Sequence, residues 1–216
     1  MAGIFDLLNS DLGKSIISGV SGSTGTDEAK TGSLLTMALP VLMKAMERNA
    51  STPEGAEGLM GAIQGKHNGG ILDNLGDLFG GGVNEEVSND GDKILGHVLG
   101  AKKDNVTKVL GAKSGLDTGS VANILKVAAP LLMGVLGKQA SQNNVTSSSG
   151  ISGLLSGLLG GASSEGAVTQ EQSFLEKMLD SDGDGSIIDD VAGMVLGGSS
   201  NKSGGLGSLL GGLFGK

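Results

Sequence analysis

A repeat at an offset of 90 residues constrains this chain more than any other feature. Laying Thr24-Gly25-Thr26-Asp27 through Ala50-Ser51 over Ser114-Gly115-Leu116-Asp117 through Ala140-Ser141 sets Gly25 on Gly115 and Asp27 on Asp117. Further along, Pro40 meets Pro130, Leu42 meets Leu132 and Met43 meets Met133. Each stretch reads as a glycine turn, a polar cap, an apolar helix, a proline and a second apolar helix ending near a basic residue, Arg48 or Lys138. Self-similarity at a fixed spacing marks a supersecondary unit used more than once. The expected fold class is therefore all-α, a multihelical array made from a duplicated helical unit.

In the second stretch Asp117, Thr118 and Ser120 are residue types that cap a helix, and Val121, Ile124, Leu125, Ala128 and Ala129 recur at helical spacing. Pro130 has no amide hydrogen and crowds the preceding turn, so a kink or a restart is expected there before Leu131, Leu132, Val135 and Leu136 continue the apolar face. A shorter helix precedes each stretch, over Leu12 to Val20 and Val106 to Leu110. Between them, Asp90-Gly91-Asp92 reads as the cap of a short helix that Gly100 closes. These elements predict a helical domain over residues 1–142.

Of the 41 glycines, many fall in a Gly-Leu pattern that occurs three times, at Gly70–Gly81, Gly150–Gly161 and Gly204–Gly215. Leucines one turn apart make each an amphipathic helix, while interior glycines weaken it by up to about 1 kcal/mol each. Such segments need a surface to lie on. Polar tracts at Ser141–Ser149 and Gly197–Gly205 have linker composition. The resulting division after the helical domain is a Gly/Ser/Leu-rich linker segment at 143–172, a helix-loop-helix at 173–198 and a flexible Gly-Leu tail at 199–216.

The most specific local motif is Asp180-Ser181-Asp182-Gly183-Asp184-Gly185-Ser186-Ile187-Ile188-Asp189-Asp190. Calcium takes six to eight oxygen ligands, and carboxylates at alternate positions 1, 3 and 5 wrap one centre. That assigns Asp180, Asp182 and Asp184 as ligands, with Gly185 at the sharp turn and the Ser186 carbonyl at position 7. Position 12, where an EF-hand places a bidentate Glu, is Val191, so Asp189 or Asp190 must close the loop. The expected cofactor is a structural Ca2+, and a solvated helix cap is the plainer reading of the same carboxylates.

A net charge of −8 with one arginine, Arg48, argues against a nucleic-acid partner, because phosphate binding needs concentrated positive charge. His67 and His97 stand in no metal or triad spacing, and Gly80-Gly81-Gly82 lacks the Lys-Ser/Thr of a phosphate loop. No enzyme is expected. The N-terminal residues carry Asp6 and Asp11 without a basic region or a long apolar run, so cytoplasmic location is the default expectation.

Asp90 through Gly100, Lys113-Ser114-Gly115-Leu116-Asp117 and Leu125-Lys126-Val127-Ala128-Ala129-Pro130-Leu131-Leu132-Met133 resemble the bacterial domain-of-unknown-function 937 family of YidB-like proteins. The resemblance covers about residues 5–140, and the later Asp-rich loop is similar to one that often follows this domain. It implies a multihelical fold and brings no catalytic residues. Two functions are then expected to compete. One is a calcium-stabilised structural or interaction protein that binds itself or a protein partner; the other is a peripheral membrane-surface protein docking through Leu206, Leu209, Leu210, Leu213 and Phe214, with only Lys202 and Lys216 as nearby positive charge.

Overall fold

Asp27 and Asp117 begin the two longest helices in the same way. Each carboxylate accepts the backbone N–H three residues on, from Lys30 at 3.0 Å and from Ser120 at 2.9 Å. Each is preceded by a glycine in the left-handed region, Gly25 at φ 66° and Gly115 at φ 68°. A glycine there ends one helix and an aspartate two residues later starts the next, so the chain turns a tight corner twice.

The computed structural model describes residues 3–80 and 85–160. In chain order the helices are α1 (Ile4–Asn9), α2 (Asp11–Thr24), α3 (Glu28–Asn49), α4 (Pro53–Gln64), α5 (Gly70–Asp73), α6 (Leu75–Gly80), α7 (Glu85–Leu99), α8 (Lys103–Ser114), α9 (Thr118–Gln142) and α10 (Ser148–Gly160). A single 3-10 turn, Gly100–Lys102, joins α7 to α8. The described residues contain no strand and adopt the expected all-α class.

The core is built on α3 and α9, whose Leu34, Leu42, Met43, Ile124, Leu125 and Leu136 are all at most 1% exposed. α2 and α8 flank them, each packing against both long helices. α7 lies along α9, and Gly91 permits its approach: a Cβ there would run into the Lys126 carbonyl.

One detail differs from expectation and two others are sharpened. Asp90, Gly91 and Asp92 lie inside α7 rather than at its start, because the helix begins at Glu85, and Gly100 at φ 56° does end it. Pro40 and Pro130 sit within uninterrupted helices instead of restarting them. A proline removes only its own donor and leaves the carbonyl four residues back without a helical partner, a loss that deep burial of the same helix offsets. At α9 that carbonyl is Lys126, the one Gly91 faces. Finally, the Gly150–Gly161 segment, expected as an amphipathic helix in need of a surface, lies largely in α10, which buries Ile151, Leu154, Leu155 and Leu158 against α3 and α4.

Candidate functional site

The six residues expected to ligate calcium, Asp180, Asp182, Asp184, Ser186, Asp189 and Asp190, lie outside the described residues, as do the helix-loop-helix at 173–198 and the Gly-Leu tail at 199–216. Among the described residues no three His, Asp or Glu side chains converge as a metal site. The polar chemistry that is described concentrates along α7.

His67 follows α4, its amide donating to the Ala62 carbonyl at 3.0 Å and its own carbonyl pressed against Gly137 of α9. Its Nε2 lies 3.4 Å from Asp90 Oδ2, and the residue is 7% exposed. Lys66 Nζ reaches the other Asp90 oxygen at 3.0 Å and Glu86 at 4.0 Å. Burial pushes the imidazole below its ordinary range; the Asp90 charge pulls it up and the Lys66 charge pushes it further down. The ring is therefore neutral at pH 7.

Two residues on, Asp92 Oδ1 accepts from Lys103 Nζ of α8 at 2.7 Å and faces Lys126 Nζ of α9 at 3.2 Å. The Lys103 hydrogen bond, then that of Lys126, holds its carboxyl below the usual carboxylate range. The two aspartates that suggest a helix cap thus tie α7 to the end of α4, to α8 and to α9. Their spacing did not announce this, since the partners come from 11 to 34 residues away; one clue was the unusual Asp-Gly-Asp run in an otherwise periodic helix.

A histidine oriented by a carboxylate is half of a general-base apparatus. Here the nitrogen facing Asp90 is Nε2, and the ring is closed in between α4 and α7, so the pair reads as a helix tie. His97, the other histidine, is exposed on α7, and its carbonyl, with that of Val98, receives the Asn49 side-chain amide. An apolar cavity of about 20 Å³ lies elsewhere, between α1, α2, α3 and α9, lined by Ile4, Leu8, Ile16, Leu35 and Leu132 among others. Its lining is entirely apolar and offers no polar group to orient a ligand.

A second polar pairing joins α3 to α10. Ser156 Oγ donates to Glu47 Oε1 at 2.6 Å, and Ser152 Oγ donates to the Ala50 carbonyl at 3.3 Å. Burial raises the Glu47 carboxyl, and hydrogen bonds from Lys44 and Ser156 with the Lys44 charge outweigh it, leaving it below the usual range.

The model of the family described as "Bacterial protein of unknown function (DUF937)" matches residues 6–139 and 140–216. The chain belongs to this family. No curated protein and no solved structure matches it. In this DUF937 member, α9 is long and apolar enough to cross a membrane, and 72% of its most apolar stretch is buried by its neighbours, as in the central helix of a helical core. The apolar face of α10 is likewise turned inward.

Proposed function

We propose that this protein is a non-enzymatic assembly or interaction scaffold, built from one helical unit used twice and stabilised at its C-terminal loop by calcium. The observation that supports the reading most is how the described Gly-Leu segments are used. α5 lies on α9, α6 on α2, and α10 on α3 and α4, each as a docking element that is too short and too glycine-rich to hold its helix alone. Phe79 of α6 seats its ring directly on Gly19 of α2, where a Cβ would collide. Residues 204–215 repeat the pattern in sequence and supply a further element of this kind for a partner or a second copy.

In this reading Asp180, Asp182 and Asp184 give carboxylate oxygens, Ser186 a carbonyl, and Asp189 or Asp190 the closing ligand. Five aspartates so close in sequence repel one another without a cation, so binding couples to ordering of the loop. Calorimetric titration of calcium into chelator-treated full-length protein, with magnesium for comparison, tests it. We expect calcium heat that Asp182→Ala with Asp184→Ala abolishes. No heat and an unchanged melting temperature in the parent chain would reduce the loop to an acidic cap.

A further inference from the structure

Of the eleven asparagines in the chain, only Asn68 is followed by glycine. Asn68-Gly69 makes the corner between α4 and α5, and that corner is closely held. The His67 carbonyl and the Asn68 backbone rest on bare Gly137 of α9, and Gly69 lies against Lys138. The His67 ring is tied to Asp90 of α7 at 3.4 Å. Gly69 itself stands at φ 106°, a conformation that a side chain would strain.

The Asn68 side chain is exposed, and its Oδ1 accepts the Gly70 N–H at 3.2 Å. An asparagine oxygen bonded to the amide two residues on imitates a backbone turn, which folds the side-chain carbonyl back over the peptide between them. The nitrogen of that peptide belongs to Gly69, and its N–H donates to no described residue. The arrangement meets the needs of ring closure at both ends. The Gly69 nitrogen has no competing acceptor and no side chain beside it to obstruct an approach. Asn68 Cγ is one five-membered ring away, in a fixed orientation of the kind from which a unimolecular step gains most. The Gly70 N–H already donates to the oxygen on which negative charge gathers as the nitrogen adds.

We propose that Asn68 is a site of self-modification. The Gly69 nitrogen bonds to Asn68 Cγ, the bond from Cγ to the side-chain nitrogen breaks, and ammonia leaves with the proton given up by Gly69. The product is a cyclic imide, which water opens at either carbonyl. One opening gives an ordinary aspartate. The other gives isoaspartate, in which the main chain runs through the former side chain and is one methylene longer. The net change is hydrolysis of the side-chain amide, and water is the only co-reactant.

The fold decides what each product does. Aspartate keeps the oxygen that Gly70 bonds. Isoaspartate adds a methylene where the backbone already fills the notch at Gly137, so the α4–α5 corner must lift from α9 and strain the His67–Asp90 tie. Loss of ammonia makes the change one-way, and the molecule therefore ages from a form with α5 seated on α9 to a form with that corner released. This goes beyond the scaffold reading and does not depend on it.

The test keeps full-length protein in warm, mildly alkaline buffer, folded or unfolded in guanidinium chloride. Peptide mapping by mass spectrometry locates each conversion, and an isoaspartyl methyltransferase marks the isoaspartate. We expect Asn68 to convert several-fold faster in the folded chain than in the unfolded one, and ahead of the other ten asparagines. Asn68→Gln, which would have to close a larger ring, should abolish the signal at that position. The isoaspartate-bearing fraction should melt below an Asn68→Asp variant, which carries the charge without the added methylene. Conversion in the folded chain that is equal to or slower than in the unfolded chain would overturn the proposal. An isoaspartate fraction that melts with the Asn68→Asp variant would overturn the release of the corner.

Discussion

The α2–α3 corner and the α8–α9 corner have the same backbone and opposite interiors. In the first, Ser21 Oγ donates to the Thr26 carbonyl at 2.6 Å, the Thr26 hydroxyl lies 2.8 Å from both Thr24 and Thr31 hydroxyls, and Thr31 Oγ1 donates to the Asp27 carbonyl at 2.8 Å. Ninety residues on, the positions of Ser21, Thr26 and Thr31 are Gly111, Leu116 and Val121. Thr31 and Val121 are both fully buried. Only the outermost hydroxyl is retained in kind, Thr24 bonding the Val20 carbonyl at 2.7 Å and Ser114 the Leu110 carbonyl at 2.8 Å. A hydroxyl cluster, in which the single Thr26 proton serves either Thr24 or Thr31, stands where the other corner has an apolar plug. The turn is specified by what the two share, a left-handed glycine and a capping aspartate.

Breaking the shared part should cost most. Gly25→Val and Gly115→Val each force a β-branched residue into the left-handed region, and each is expected to lower stability by about 2 kcal/mol, measured by denaturant melts. Equal losses confirm that the corners rest on the same turn; tolerance at one alone would separate them. Exchanging interiors should cost less. Thr31→Val strips a buried partner from Thr26 and is expected to cost about 1 kcal/mol. Thr31→Val combined with Thr26→Leu and Ser21→Gly copies the apolar plug, and most of that loss should return. A triple variant that is simply the sum of its parts would show that the network is not a unit.

The smallest expected effect distinguishes the caps by pH. The Ser120 hydroxyl, at 2.6 Å, and then the Ser120 amide hold the Asp117 carboxyl below its ordinary value of 3.8. A depressed folded-state value means the contribution is fully present above about pH 4 and fades as the carboxyl is protonated below it. Asp117→Asn should flatten the acid limb of melting temperature against pH slightly, since the group is exposed and screened. The buried His67 acts in the same direction at higher pH: its lowered value favours the neutral ring, so stability is full above pH 6.5 and declines below it. His67→Gln should remove that decline.

Much of this was legible in the residues. Gly25 and Gly115, with Asp27 and Asp117, announce the corners because turn and cap chemistry act within three or four residues. The periodic apolar faces of α3 and α9 announce the core for the same local reason. The interior of the corners was less visible, since nothing near Thr31 in sequence says its hydroxyl will be satisfied by Thr26. The role of Asp90 and Asp92 was scarcely legible, the Asp-Gly-Asp run being its one trace. Their partners, Lys66, His67, Lys103 and Lys126, are brought to them by tertiary packing, and the same letters suit a helix cap equally well.

Pro130 and Gly91 carry a constraint that neither shows alone. The proline deprives the Lys126 carbonyl of its partner within α9, and the missing side chain of Gly91 lets α7 pass close against that oxygen. Seen over many generations, the two sites form one locus. Restoring an amide at 130 would leave the glycine tolerable but idle, whereas adding a methyl at 91 would lift α7 away while the proline stays, so drift should proceed through 130 before 91 and rarely in the other order.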